Sequence, residues 1–304
     1  MAGDLSHRSG TLRLNSAAPF RLGPARFLAT ASPEALFVLS ATAQYVGAVI
    51  AVGLFDEVSP ASVAWLRVIG AAIVLCLVSG RHLLGPWTRA DLGALAFFGV
   101  ATALMNTFFY LGIDRLPLGK GVAIEFIGPI AVAAFRTRSR RNAAALVLAA
   151  LGVAVLSGVE IDSEPIGLLF IFLASAMWAT YIVIGSKVAR RDRGVAGLGI
   201  GLVIGAVAVA PIGAPGSAEA WSSPRLLALC LFVGVMSNAI GYGIDQAVLR
   251  RIPVRRFSVL LALLPVTASV VAFVALDQRP NTFDLVGMAM VLTGVVIQER
   301  ESLS

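Results

Sequence analysis

The chain has 304 residues, of which 58% are hydrophobic and only 13% charged, and its mean hydropathy is +0.87, whereas an ordinary soluble domain is about 25% charged. A chain so apolar cannot hide its surface in water, which excludes a soluble globular protein. Its net charge of +7 is not the signature of a nucleic-acid binder either, because the basic residues form short clusters between apolar stretches instead of one basic face.

Residues 1–32 are polar, carry Arg8, Arg13, Arg21 and Arg26, and have no long apolar run. They read as a disordered cytoplasmic tail, with a fainter likeness to a transit peptide, and not as a cleavable signal. Ten stretches then have the length and apolarity to cross about 30 Å of hydrocarbon as helices. In chain order they are Glu34–Phe55, Ala61–Gly80, Leu92–Ile113, Pro117–Phe135, Asn142–Val159, Ile166–Lys187, Val195–Gly213, Arg225–Leu249, Val254–Leu276 and Phe283–Gln298. The connections are short and rich in turn formers, as in Asp56-Glu57-Val58-Ser59-Pro60 and Asp162-Ser163-Glu164-Pro165, so no loop holds a soluble domain. The expected fold is an all-α integral membrane protein of ten transmembrane helices.

Placing both termini in the cytoplasm can be tested by counting cations. Of the 24 Lys and Arg residues, only Arg115, Lys120, Arg225 and Arg279 fall on the outer side and Arg67 lies within a helix; all the others fall inside. The positive-inside rule then fixes the orientation. The runs Arg136/Arg138/Arg140/Arg141 and Lys187/Arg190/Arg191/Arg193 are read as topology determinants, not ligand sites.

The two halves resemble each other. Phe98-Gly99-Val100, Pro117 and Gly128-Pro129 in the third and fourth stretches match Val233-Gly234-Val235, Pro253 and Leu264-Pro265 in the eighth and ninth. Likewise Leu36-Phe37-Val38-Leu39 matches Leu169-Phe170-Ile171-Phe172, and Tyr45 falls opposite Trp178. The expected organisation is a five-helix repeat over 33–160 and a second over 161–299. An odd number of helices per repeat inserts the second copy upside down, a pattern of carriers.

Intramembrane ionisable groups are the candidates for function, since a charge at the bilayer centre costs about 2.5–3.5 kcal/mol. Glu125 lies about 12 Å into the fourth helix at 1.5 Å per residue, the deepest acid in the chain. There it can bind and release a proton, or serve as a structural carboxylate paired to a neighbouring helix. Arg67 lies about 9 Å from the end of the second helix and needs a partner, either Glu125 or the carboxylate of a substrate. Lys120, in the first turn of its helix, can reach the interface. Asn238, Tyr242, Asp245 and Gln246 form one polar stripe in the eighth helix, and Asn106 and Tyr110 form another in the third. For Asp245, near the helix end, loop capping or Arg pairing competes with a place in the pathway. Trp178 and Tyr181 either line a cavity or pack. Gly128, Pro129 and Pro265 should interrupt the fourth and ninth helices, where freed backbone groups must face protein or a wet cavity.

Gly197, Gly201 and Gly205 recur every four residues, a helix-packing pattern that is at most a homodimer face. Cys76 and Cys230 sit alone in apolar stretches and read as packing residues, so no metal or cofactor is indicated.

These motifs carry a resemblance to the EamA-type carriers of the drug/metabolite transporter superfamily, on the branch that exports threonine and homoserine. The closest correspondence is Pro117-Leu118-Gly119 with Ile124-Glu125-Phe126-Ile127-Gly128-Pro129, joined by Trp65-Leu66-Arg67, by Trp178-Ala179-Thr180-Tyr181-Ile182 and by Asp245 before Arg251-Ile252-Pro253. The resemblance implies ten helices in two inverted halves, and export of small amino acids or related metabolites from the bacterial inner membrane by alternating access. Leu264-Pro265, where those exporters carry Glu-Pro, departs from the pattern, as do Leu276-Asp277 and Lys120. With no GxxxxGK[ST] nucleotide loop present, coupling to an ion gradient is expected, and proton exchange through Glu125 is the form hypothesised. No HExxH or GxSxG motif marks an enzyme, and His7 and His82 lie in the tail and a loop. Efflux of drugs or cations is the rival within the superfamily, and a non-transporting membrane protein the more distant one.

Overall fold

The computed structural model describes residues 30–136, 139–157, 164–189, 194–241, 244, 248 and 263–299, and among these there is helix but no strand. The helices are α1 Pro33–Val52, α2 Pro60–Ser79, α3 Arg89–Ile113, α4 Leu118–Glu125, α5 Ile127–Arg136, α6 Arg140–Ser157, α7 Pro165–Ala189, α8 Gly194–Gly213, the short α9 Ala218–Ser222, α10 Pro224–Gly234, α11 Leu263–Leu276 and α12 Thr282–Glu299. Each of the ten expected stretches therefore contains helix. Among the described residues six spans are long and apolar enough to cross a membrane: Pro33–Val52, Pro60–Leu84, Arg89–Ile113, Pro165–Val183, Val195–Gly213 and Pro224–Gly241.

The starts follow from local chemistry. Ser-Pro recurs at Ser32-Pro33, Ser59-Pro60 and Ser223-Pro224, where proline presets the first helical φ and the serine hydroxyl accepts from Ala35, Ser62 and Leu226 N–H respectively. Thr88 and Asp91 make a reciprocal capping box at α3. Inside the helices Thr102, Thr107, Thr180, Thr267 and Thr293 turn their hydroxyls back onto the carbonyl four residues earlier. That leaves no unsatisfied donor to face hydrocarbon. The outer surface carries Leu77, Phe97, Val207, Val274 and Phe283, each more than half exposed. Such a surface would aggregate in water and suits acyl chains.

Five connections gather at one end of the bundle. Arg225 pairs with Glu57 and Arg115 with Glu164, Phe55 packs on Tyr110, Asp56 acts electrostatically on Asp114, and Leu118 N–H donates to Gln278 Oε1. The chain thus leaves and returns to this end between successive members of the group. Burial raises the Asp114 carboxyl above the usual aspartate range; Arg115 opposes the rise, and Asp56 and Glu164 add to it.

Helix neighbours follow a pattern. Taking the stretches by number, the third packs on the sixth and the eighth on the first; the third on the seventh and the eighth on the second; the fourth on the sixth and the ninth on the first. The second packs on the seventh, the fourth on the ninth and the fifth on the tenth. Exchanging the first five with the last five maps these pairings onto one another, whereas the contacts of the second with the third, the fourth with the fifth and the fourth with the tenth have no such counterpart among the larger contacts of the described residues. Glycine permits the closest approaches: a Cβ on Gly99 or Gly205 would strike the backbone of the facing helix, so α3 and α8 touch along their main chains. The glycine stripe of α8 is thus spent on packing within this chain, through Gly201 and Gly205.

Candidate functional site

The site forms where α2, α3, α4 and the continuation of α10 meet. Gly234 of α10 sits against the Arg67 carbonyl and Gly70 of α2 against Leu231, with no room for a Cβ on either glycine. This contact brings Arg67 opposite residues 235–241. That segment is a π turn, Val235–Gly241, wider than an α-helical turn and characteristic of functional positions. It is clamped from α1: Ser40 Oγ donates to the Gly241 carbonyl at 2.9 Å, Ser237 Oγ to the Gln44 carbonyl at 3.1 Å, and Gln44 Nε2 to Ser40 Oγ at 3.1 Å. Gly47 and Gly241 allow this approach, since a Cβ on either would meet Ser237 or Gln44.

The π turn aims Asn238 at Arg67. Arg67 Nε–H donates to Asn238 Oδ1 at 2.6 Å, and both residues are buried. Because Nε is only a donor, the bond fixes the amide with its oxygen toward Arg67, and the Nδ2 of Asn238 is left without a partner. The guanidinium carbon lies 4.9 Å from the centroid of the Tyr110 ring, a cation–π contact. Tyr110 is fully buried, and its hydroxyl has no partner in hydrogen-bonding geometry, although the Arg67 guanidinium acts on it. Two orphaned buried polar atoms beside one buried cation are exceptional, since such atoms are normally paired.

Glu125 closes α4. It is buried, Arg67 acts on it electrostatically, and among the described residues it forms no hydrogen bond or ion pair. The bridge between Arg67 and Glu125, one of the two partners expected for Arg67, is therefore not formed. The position of Glu125 follows from Pro129, which has no N–H for the carbonyl four residues earlier, that of Glu125 itself. The helix breaks there, with Phe126 between α4 and α5. Gly128 lets the break press onto the Ser175 carbonyl of α7. Phe126 meets Trp178 edge-on at 5.0 Å, and Tyr181 lies 4.8 Å from Phe98. Both expected aromatics of α7 are thus engaged in ring packing, Trp178 at the break and Tyr181 against α3.

The other expected residues divide. Asn106 is buried and donates from Nδ2 to the Thr102 carbonyl of its own helix at 2.7 Å. Pro265 is buried in the first turn of the described part of α11, and Tyr242, Asp245 and Gln246 lie outside the described residues. Lys120 does not reach an interface. It is buried, and its Nζ meets Asp284 Oδ1 of α12 at 2.9 Å. Sequence reasoning missed this pair, the α1 clamp and the π turn. Asp284 carries only the local signal of a helix cap, exchanging bonds with Asn281.

Comparison with known proteins agrees with this arrangement. Residues 165–298 match the EamA-like transporter family. The chain is 31% identical over 274 residues to the threonine/homoserine exporter RhtA of Salmonella typhimurium, covering 89% of this chain and 92% of that one. It is 33% identical over 250 residues to the exporter RhtA of Escherichia coli K12, covering 81% and 84%. A protein of known crystal structure, 17% identical, superposes with a TM-score of 0.58 over 89% of this chain and 99% of the other, which speaks to the fold alone. A buried, partly unsatisfied polar cluster inside a helical membrane bundle and relatives that match nearly end to end lead to one conclusion: the chain belongs to the EamA-like transporter family.

Proposed function

We propose that the protein is a secondary carrier that exports small amino acids of the threonine and homoserine kind across the bacterial inner membrane, in exchange for protons and by alternating access. The observation that carries this reading is a cation and an acid buried in one cluster without neutralising each other. Arg67 is met by an amide and a ring, and Glu125 by no described partner. A zwitterion supplies both missing charges, its carboxylate to the fork of Arg67 and its ammonium to Glu125. Asn238 Nδ2 and the Tyr110 hydroxyl are donors for the same carboxylate. Asn106, Trp178 and Tyr181 form the walls. Tyr242 and Asp245, which follow Asn238 in the sequence, are candidates for the same pathway. Glu125 binds a proton when substrate is absent, which couples the two fluxes.

In this reading the halves 33–160 and 161–299 are inverted copies that rock about the cluster, as the exchange symmetry of helix neighbours supports. The termini, including the tail 1–32, lie in the cytoplasm, and the five gathered connections face outward. The site is asymmetric: Glu125 precedes the break in the first half and Leu264 precedes Pro265 in the second.

The test is counterflow in proteoliposomes against a panel of amino acids and cationic drugs. Threonine or homoserine exchange that depends on an imposed pH gradient, and loses that dependence in Glu125→Gln, supports the proposal. Preferential movement of organic cations, unaffected by Arg67→Ala, replaces it with drug efflux.

A further inference from the structure

Lys120 and Asp284 lie outside the substrate cluster; the capping exchange with Asn281 accounts for Asp284 locally but not for its pairing with Lys120, a residue that departs from the family pattern. Their side chains are 5% and 12% exposed and meet at 2.9 Å. They join α4, which carries Glu125 at its other end, to the first turn of α12. Leu118 N–H donates to Gln278 Oε1 beside them at 2.9 Å, and a Cβ on Gly119 would strike Ser269 of α11. The short α4 is therefore pinned at one end to α11, to the connection after it and to α12, and severed from α5 at the other by the break at Phe126. A cavity of about 120 Å³ borders the pair, lined among others by Lys120, Gln278, Arg279, Asp284 and Met288. That is room for several waters.

We propose that Lys120 and Asp284 form the outer gate of the carrier and are positioning residues for Glu125. This rests on the carrier reading above, which makes the two halves move against each other. The pair bridges those halves at the end assigned to the outside. Two opposite charges in a dry setting hold together strongly, because separating them leaves each desolvated and unpaired; water entering from the adjoining cavity removes that penalty. The bond is made when the outer side is closed and broken when it wets and opens. While it holds, α4 cannot swing, and Glu125 stays shielded from the outer solution.

Two measurements test this. With Cys76 and Cys230 replaced by alanine, Lys120→Cys/Asp284→Cys is joined by a short thiol cross-linker in proteoliposomes. The cross-link is expected to stop exchange reversibly, by about tenfold or more, because product release requires the gate to open. Exchange at the uncross-linked rate would make the pair a static brace and overturn the proposal. The second measurement needs no substrate. Glu125→Cys in the same cysteine-free background is labelled with an impermeant maleimide in vesicles of either orientation. Adding Lys120→Ala should speed labelling from the outer face severalfold and leave the inner face unchanged. The swap Lys120→Asp/Asp284→Lys should restore slow labelling, which separates gating from misfolding. Unchanged outer labelling in Lys120→Ala overturns the gate even where no amino acid is transported. Fast outer labelling without amino-acid exchange keeps the gate and removes the substrate assignment.

Discussion

Two cations are buried among the described residues of this bundle, and their surroundings treat them differently. Lys120 is neutralised by a carboxylate at 2.9 Å, the arrangement expected of a charge that must be stored in hydrocarbon. Arg67 has no carboxylate among the described residues. Its Nε is held by the amide oxygen of Asn238, and its guanidinium carbon lies over the Tyr110 ring at 4.9 Å from the centroid. Both contacts orient the guanidinium without cancelling its charge. One region is closed on itself; the other leaves its cation without a counter-anion among the described residues, as the proposed binding role requires. That contrast separates a structural or gating charge from a binding charge better than depth in the membrane does, since both residues are equally buried.

The largest expected effect comes from removing the open cation. A charge-assisted pair to the substrate carboxylate contributes about 1.5–3 kcal/mol, so Arg67→Ala should lower the rate of amino-acid exchange by one to two orders of magnitude, roughly tenfold per 1.4 kcal/mol. Arg67→Lys should restore little of it, because an ammonium cannot make the same two-pronged bond. Protein yield and monodispersity should stay normal in both variants. Near-wild-type exchange by Arg67→Ala would show that the cation only braces α2 against the π turn.

A sharper variant makes the open site resemble the closed one. Asn238→Asp supplies Arg67 with the carboxylate that Lys120 already has. The protein should resist thermal unfolding at least as well as wild type while losing most of its exchange activity, because the substrate must now displace an internal anion. Stability and transport would move in opposite directions, which simple misfolding does not produce. Exchange at the wild-type rate would argue that the Arg67–Asn238 contact is not on the substrate path.

At the closed pair the expected order is reversed. Asp284→Asn strands a buried ammonium and should destabilise the protein by about 3–5 kcal/mol, whereas the joint replacement Lys120→Met/Asp284→Leu should cost little or be slightly stabilising. Thermal unfolding in detergent compares the two. Equal losses from both would mean that packing at α12, not charge compensation, holds this end together.

How far these two regions could be read in advance differs for physical reasons. The helices were legible because apolar length and Ser-Pro caps act within a few residues. The break at Glu125 was legible because Pro129 disables one particular carbonyl. Asn238, Tyr110, Arg67 and Glu125 stood out because polar groups are costly at that depth. The π turn was not legible: Val235 to Gly241 has no local reason to widen. It is held there by Ser40 and the Gln44 carbonyl of another helix, the latter accepting from Ser237 of the turn, and by glycines that let the chains touch. An even α-helical stripe through Asn238 was the natural reading, and tertiary bonds changed its register. The partner of Lys120 was hidden for the same reason. Asp284 sits in a capping pattern with Asn281 that fully accounts for it locally, and only the packing of α12 near α4 gives it a second role.

The smallest effect lies outside the membrane, at Asp114, which caps α3 at the end where the five connections gather. Its carboxyl titrates above the ordinary aspartate range, first through burial, with Asp56 and Glu164 adding to the rise and Arg115 opposing it. A raised acid is a charge the folded state accommodates less well than the unfolded chain does. Its ionisation therefore erodes stability as pH climbs from the ordinary aspartate value through the raised one, and the erosion is complete above that. Asp114→Asn should accordingly raise the melting temperature slightly near neutral pH. The gain should shrink as pH falls toward about 4, where wild type is protonated as well. A pH-independent change would point to altered packing and not to the charge. Because the group is mostly exposed, solvent screening keeps the effect well below those at Arg67 and Lys120, and it leaves exchange untouched if the binding charge lies where the contrast between the two cations places it.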